Sequence, residues 1–305
     1  MAGEPWGLSQ GAGVRESVAE RLFRGAGWWR GLVRFCRRHP GGAISGAFIL
    51  FMTAVAVLAP WIAPYDPLEP DFLAMLSPPS RDHWFGTDAF GRDVLSRIMY
   101  GARTALLIGF TTALAGSAAG ALLGTVSAYY GGRFDLWVQR FIDVVISFPI
   151  IILALAVVAI LGPGLVNTMV AITIPMIPKV ARVVRSSALV VRETVYVEGA
   201  RAIGAGNARI IARYMLPNVM APTLVMATAL LGQAILLEAS LSFLGLGVVE
   251  PTAAWGLMLR GAAVEFAERA PWMAVFPGLA ITVSVLAFNI LGDSLRDALD
   301  PKLRT

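Results

Sequence analysis

"VVISFPIIILALAVVAILGPGLVNTMVAITIPMIP", residues 144–178, carries no charged side chain and is too long to be one crossing of a bilayer. A hydrocarbon core of about 30 Å takes about 20 helical residues at about 1.5 Å each. Gly162-Pro163-Gly164 divides the run, because glycine and proline end helices at little cost. The run predicts two crossings joined by a tight turn, the second interrupted by Pro175, Pro178 and Lys179. The other uncharged windows are each about one span long. They are Gly41 to Tyr65, Thr104 to Gly132, Tyr214 to Leu237 (extending past Glu238 toward Phe243) and Ala270 to Gly292. An all-α membrane protein with six transmembrane helices results.

Composition agrees with that reading. The chain of 305 residues is 57% hydrophobic and 15% charged, where soluble domains run at about 45–50% and about 25%. A pI near 9.8 raises the question of nucleic acid. The cations answer it: 23 are Arg, only Lys179 and Lys302 are Lys, and they gather at the ends of apolar runs, as membrane topology requires. Cys36 is single, which excludes an internal disulfide and a cysteine metal site, and His39 and His83 are too few for a histidine metal centre.

The cations also set orientation. Residues 1–40 hold seven, Arg133 and Arg140 add two, 179–213 hold seven and 293–305 hold three, nineteen on one side. Arg81, Arg92, Arg97, Arg260 and Arg269 are the five on the other side, and Arg103 sits at the mouth of the second span. The positive-inside rule then places both termini in the cytoplasm. The organisation read from this is a basic cytoplasmic segment 1–40, a first transmembrane helix 41–63 and a periplasmic loop 64–100. A transmembrane core 101–292 with a cytoplasmic loop at 187–217 and a cytoplasmic tail 293–305 complete it.

The first span reads as an uncleaved anchor, its basic flank being too long for a signal peptide. Residues 15–38 mix Arg with Trp and Phe, either as an interfacial amphipathic segment or as a basic tail that only sets topology. The loop 64–100 holds six acids, three Arg and five prolines, a rigid outer segment. Trp255 and Trp272 in the second outer loop are expected at the membrane interface.

Several chemistries are absent. Neither lysine follows a glycine, so no Walker A loop exists; Gly204-Ala205-Gly206 is not continued by the third glycine of a dinucleotide fingerprint; and no His-Glu-x-x-His occurs. Ion-coupled transport needs polar groups near the midplane, for which only Glu238, Asn289, Asn167 and Gln233 are candidates. Glu238 reads either as a proton or pore site or as a helix-end acid bonded to a neighbour. Gly109, Ala113, Gly116, Gly120 and Gly124 form a small-residue face for close helix packing.

The loop between the fourth and fifth spans is long for a bundle connection, which usually takes about 2–8 residues. Ser187 to Ile203 is compatible with one helix, and Asn207 is a candidate cap for the next. Gly199, Ala200 and Ala202 around Glu198 and Arg201 offer little side-chain bulk, so a partner's surface can approach closely. Pro217 is placed to begin the next span.

Glu198-Gly199-Ala200-x3-Gly204-x9-Tyr214-x-Leu216-Pro217 resembles the E-A-A-x3-G-x9-I-x-L-P loop of ABC-importer membrane subunits. "LAPWIAPYDP" (58–67), "HWFGTDAFGRDVLSRIMYGARTALLIG" (83–109), "LLEASLSFLGLG" (236–247) and "PGLAITVSVLAFNILGDSLRDALDPKLR" (277–304) are similar to the dipeptide/oligopeptide/nickel-type permeases. The likeness runs from about residue 35 to the end and is closest to the C-type subunit of a heterodimeric pore. It implies the type I importer fold in a bacterial inner membrane. The implied partners are a second homologous permease, two cytoplasmic ATP-binding subunits and an external solute-binding protein. ATP and Mg would sit on the ATPases, leaving this chain no cofactor, no nucleic acid and no covalent chemistry. The cargo would be di- or oligopeptides or similar small solutes. The resemblance assigns ATPase coupling to Glu198, Gly199, Ala200, Arg201, Gly204, Leu216 and Pro217. Two residues depart from the pattern: Gly199 stands for an alanine and Tyr214 for an isoleucine. The rival is a secondary transporter or channel working without an ATPase.

Overall fold

Residues 33–266 and 268–299 are described by a computed structural model. The basic segment 1–32 and the tail from 300 lie outside the described residues, so the Arg-Trp run at 15–38 is covered only in its last six. Within the described residues the chain is helical, with a single isolated bridge between Thr87 and Asp93.

The helices follow the uncharged windows. They are α1 (Pro40–Ile62), α2 (Val94–Tyr130), α3 (Gly132–Ser147), α4 (Ile150–Leu161) and α5 (Leu165–Arg192). Beyond them come α6 (Val195–Ala202), α7 (Asn207–Ile210), α8 (Met220–Phe243), α9 (Trp255–Glu265) and α10 (Trp272–Leu299). A π turn (Ile211–Met215) and a 3-10 turn (Leu216–Val219) join α7 to α8. Four helical columns are long and apolar enough to cross a membrane: α1, α2, Asn207–Phe243 and α10. The α3–α4 pair reaches that standard only together, and it is bent by 92°.

That bend corrects the reading of 144–178. The break after the third crossing does fall at Gly162-Pro163-Gly164, but a second one falls at Phe148-Pro149. Phe148 is extended (φ −83°, ψ 137°), the conformation a following proline imposes, and Pro149 has no N–H to continue the ladder. Conversely, Pro175 and Pro178 leave α5 continuous. Asn167 serves the Gly-Pro-Gly turn, its Nδ2 donating to the carbonyls of Leu161 (2.8 Å) and Gly162 (3.1 Å).

Helix α2 holds the bundle together, packing on α5, α8 and α1. The small-residue face makes this possible. A Cβ at Gly120 would lie 2.5 Å from Val180 Cβ, one at Gly124 would lie 2.4 Å from the Ala181 carbonyl oxygen, and one at Gly109 would lie 3.2 Å from Ile235. At about 1.5 Å per residue the 37 residues of α2 span roughly 55 Å, well beyond the hydrocarbon. Its last turn therefore stands clear of lipid.

The outer segment folds over the other end of α2. Asp93 caps that helix by accepting from the Ser96 N–H (2.8 Å), and Arg97 donates to the Pro67 carbonyl (2.9 Å). Trp255 and Trp272 both turn their indole N–H groups into the protein. Trp255 is buried against Gly101 with its Nε1 on the Ile98 carbonyl (3.0 Å), and Trp272 donates to the Thr87 carbonyl (3.1 Å). An indole N–H taken from water needs such a partner.

Candidate functional site

The segment 193–219 is built on the last turns of α2 and α5. Helix α5 ends at Arg192, so 187–203 is not one helix; Glu193 and Thr194 break it, the Thr194 Oγ1 donating to the Val191 carbonyl (2.5 Å). Helix α6 then runs to Ala202 and stops in a tight reversal. There the Ala205 N–H reaches the Ala200 carbonyl (3.0 Å) and the Gly204 N–H reaches that of Arg201 (2.9 Å). This pair of bonds is the Schellman arrangement, which needs a left-handed residue, and Gly204 supplies it at φ +79°.

Burial sorts the residues of α6. Val197 and Ala200 are buried with Ile210, Ile211 and Met215, whereas Val195, Tyr196, Glu198, Gly199, Ala202 and Ile203 are exposed. Ala200, read with Gly199 as part of a low-bulk outer surface, therefore faces inward. The outer face combines one carboxylate, a glycine whose missing side chain opens onto empty space, and Val195 and Ile203 at more than four-fifths exposure. Apolar surface thus lies exposed beside a carboxylate on the outer face of α6.

Three bonds that the sequence did not suggest tie this face to the bundle. Tyr129 Oη in the last turn of α2 donates to Asn207 Oδ1 (2.7 Å), and the Arg201 guanidinium lies 5.1 Å from the centre of the Tyr129 ring. Arg192 Nη1 donates to the Ala128 carbonyl (3.0 Å). Asn207 thus does not cap α7, whose N-cap is Gly206. Only the aromatic pair before Gly131-Gly132 could have signalled the contact. Nearby, Arg185 Nε donates to Asp135 Oδ1 (2.6 Å), which also accepts from Ser127 Oγ (2.5 Å), so α5, α3 and α2 meet at one carboxylate.

Beyond the turn at Gly204 the chain continues from Asn207 to Phe243 as one unbroken column. Pro217 lies inside the column rather than at its start. Lacking an N–H, it cannot bond the Arg213 carbonyl, and the backbone widens into the π turn before tightening into the 3-10 turn. Asn218 Nδ2 covers the Tyr214 carbonyl (2.6 Å). Leu216 is half-buried and Pro217 exposed. Of the seven residues to which the resemblance assigns coupling, Glu198, Gly199 and Arg201 are thus exposed on α6, Ala200 is buried, Gly204 turns the chain, and Leu216-Pro217 follow α7.

Farther out, Glu238 is 1% exposed and accepts from Ser242 Oγ (2.8 Å), which in turn accepts from the Val248 N–H (3.1 Å). This is the bonded helix-end arrangement.

Gly199→Ala is expected to be accepted. The new methyl meets nothing within 4 Å, and alanine favours a helix by about 0.5–1 kcal/mol. Uptake should be unchanged and the thermal midpoint slightly raised. Lost uptake at normal expression would mean that a partner occupies that space.

Residues 116–305 match the family model described as "Binding-protein-dependent transport system inner membrane component". Residues 27–79 match the "N-terminal TM domain of oligopeptide transport permease C". A protein of Brucella abortus biovar 1 (strain 9-941), provisionally named a peptide transport system permease protein, is 45% identical over 267 residues, 88% of this chain and 90% of its own length. The glutathione transport system permease protein of Escherichia coli O157:H7 is 45% identical over 278 residues, 91% of this chain and 90% of its own.

Proposed function

The chain belongs to the family of binding-protein-dependent transport system inner membrane components, and from that premise we propose that it is the C-type half of a heterodimeric pore importing peptides. Di- and oligopeptides, or small solutes handled like them, are the cargo. An external binding protein delivers it, and two cytoplasmic ATP-binding subunits, which hold the ATP and Mg, drive its passage. The printed names of the relatives, one for peptides and one for glutathione, support that class of cargo.

We infer six crossings with both termini in the cytoplasm: α1, α2, the bent α3–α4 pair, α5, the column through α8, and α10. The excess of cations on the α5–α6 side supports that orientation. The exposed face of α6 then lies in the cytoplasm, with Glu198 at its centre and Leu216-Pro217 leading back to the membrane.

One observation carries the mechanism: the face is fastened to α2 through Tyr129 and Asn207, and Asn207 opens the column that continues unbroken through α8. A push on α6 by a closing ATPase dimer is transmitted to two crossings at once, tilting them as rigid bodies between outward- and inward-facing states. The chain itself makes and breaks no covalent bond.

Glu198→Ala is the test. The Glu198 side chain is exposed and has no bonding partner among the described residues, so folding and insertion should be unchanged. Co-purification of the ATPase should fall by about tenfold, on the order of 1.4 kcal/mol of docking energy. Undiminished co-purification and uptake would remove Glu198 from the coupling role. Uptake that persists without an ATPase and collapses with a proton uncoupler would sink the importer reading.

A further inference from the structure

The elbow between α3 and α4 forms, against α5, an open hollow of about 230 Å³ lined by Val145, Ile146, Phe148, Ile150, Pro175 and Lys179. Five of these are apolar and one is a cation. Helix α5 carries three other cations. Arg182 is paired with Asp143, Arg185 with Asp135, and Arg192 lies 3.4 Å from Glu193. Among the described residues no carboxylate comes within 4 Å of Lys179.

We propose that Lys179 and the α3–α4 elbow form a binding site for the anionic end of an otherwise apolar ligand. The chemistry follows from the lining: an ammonium for a carboxylate or phosphate oxygen, and Phe148, Ile150 and Pro175 for a short hydrocarbon body. The hollow has room for a terminal residue of a peptide or the first atoms of a lipid headgroup, and its open side lets the rest of the ligand extend outward. Two sources fit this chemistry, the C-terminal carboxylate of a passing peptide and the phosphate of an anionic lipid. The solute source rests on the permease function proposed above; the lipid source does not.

The experiment uses the full chain assembled with its partner subunits in nanodiscs, as wild type, Lys179→Gln and Lys179→Arg. In one arm, a dipeptide and its C-terminal amide compete for uptake. In the other, native mass spectrometry counts phosphatidylglycerol retained in preference to phosphatidylcholine. A charge-assisted bond lost at Lys179 should reduce one preference by about tenfold in Lys179→Gln, with Lys179→Arg close to wild type. Loss of carboxylate preference assigns the site to the solute, and loss of phosphatidylglycerol retention assigns it to lipid. Both preferences intact in Lys179→Gln would overturn the proposal. A wild type that transports neither peptide would count against the import function, leaving the lipid arm to decide this one.

Discussion

Replacing Arg97 by methionine is expected to destabilise the outer half of the protein by about 3 kcal/mol, at the lower end of what breaking a buried ion pair costs. The side chain is 1% exposed and sits where three distant segments meet. Its Nη1 holds the Pro67 carbonyl of the outer loop at 2.9 Å. Its Nε lies 3.7 Å from Asp88 Oδ2, and its Nη2 lies 3.7 Å from Glu250 Oε2 in the loop after α8. Arg92 completes the set, with Nε 2.7 Å from Asp88 and Nη1 3.0 Å from Glu250. Two acids and two bases balance; without Arg97 the site keeps two carboxylates and one cation, and the Pro67 carbonyl loses its donor. The Glu250 limb is 46% exposed and contributes little through solvent. The Asp88 limb, 11% exposed, is the less screened of the two, and the Pro67 carbonyl is the one hydrogen-bond partner lost.

The check on Arg97→Met is limited proteolysis of residues 64–93 together with the thermal midpoint in detergent. Early cleavage there, with the spans still protected, is the expected pattern. Arg97→Lys keeps the charge but not the fork that reaches three partners, so it should fall between. A protein that melts and is cleaved like wild type after Arg97→Met would show that the cluster does not hold the loop.

What could be read from the sequence follows the range of each signal. Span positions were legible because hydropathy adds over some twenty adjacent residues, and α1 falls on its window. Helix α2, however, begins at Val94, inside the segment 64–100 read as a loop, because Asp93 caps it ahead of the uncharged run, and α10 continues past Gly292 to Leu299. The face of Gly109, Gly116, Gly120 and Gly124 was legible because its spacing is local to one helix. The elbow at Phe148-Pro149 was hidden inside an unbroken apolar run, where only the proline marked it. The partners of the Trp255 and Trp272 indoles were not legible because each is a carbonyl 157 or 185 residues away. The same distance hid the bond from Tyr129 to Asn207, 78 residues apart. The coupling motif lay in plain view, but its burial did not: only the fold shows that Ala200 faces inward while Glu198 and Gly199 face out.

Gly124→Ala, the addition of one methyl, is expected to cost about 3 kcal/mol, the upper part of the range for overpacked cores. A Cβ there stands 2.4 Å from the Ala181 carbonyl oxygen and 3.0 Å from the Arg185 nitrogen. Both are backbone atoms of α5, so no side chain can turn aside and the helices must separate. Gly278→Ala is the control, since its Cβ meets only Leu259 Cδ2 at 3.9 Å; it should melt like wild type. The separation also falls at Arg185, whose bond to Asp135 joins α5 to α3, and just above Arg192 and Tyr129, which hold the α6 face to α2. In the assembled transporter, Gly124→Ala should therefore keep its ATPase but lose the stimulation of ATP hydrolysis by the loaded binding protein. Glu198→Ala, by contrast, should lose the ATPase itself. If Gly124→Ala matches wild type in both midpoint and stimulation, the α2–α5 contact is not what carries motion from the docking face into the membrane.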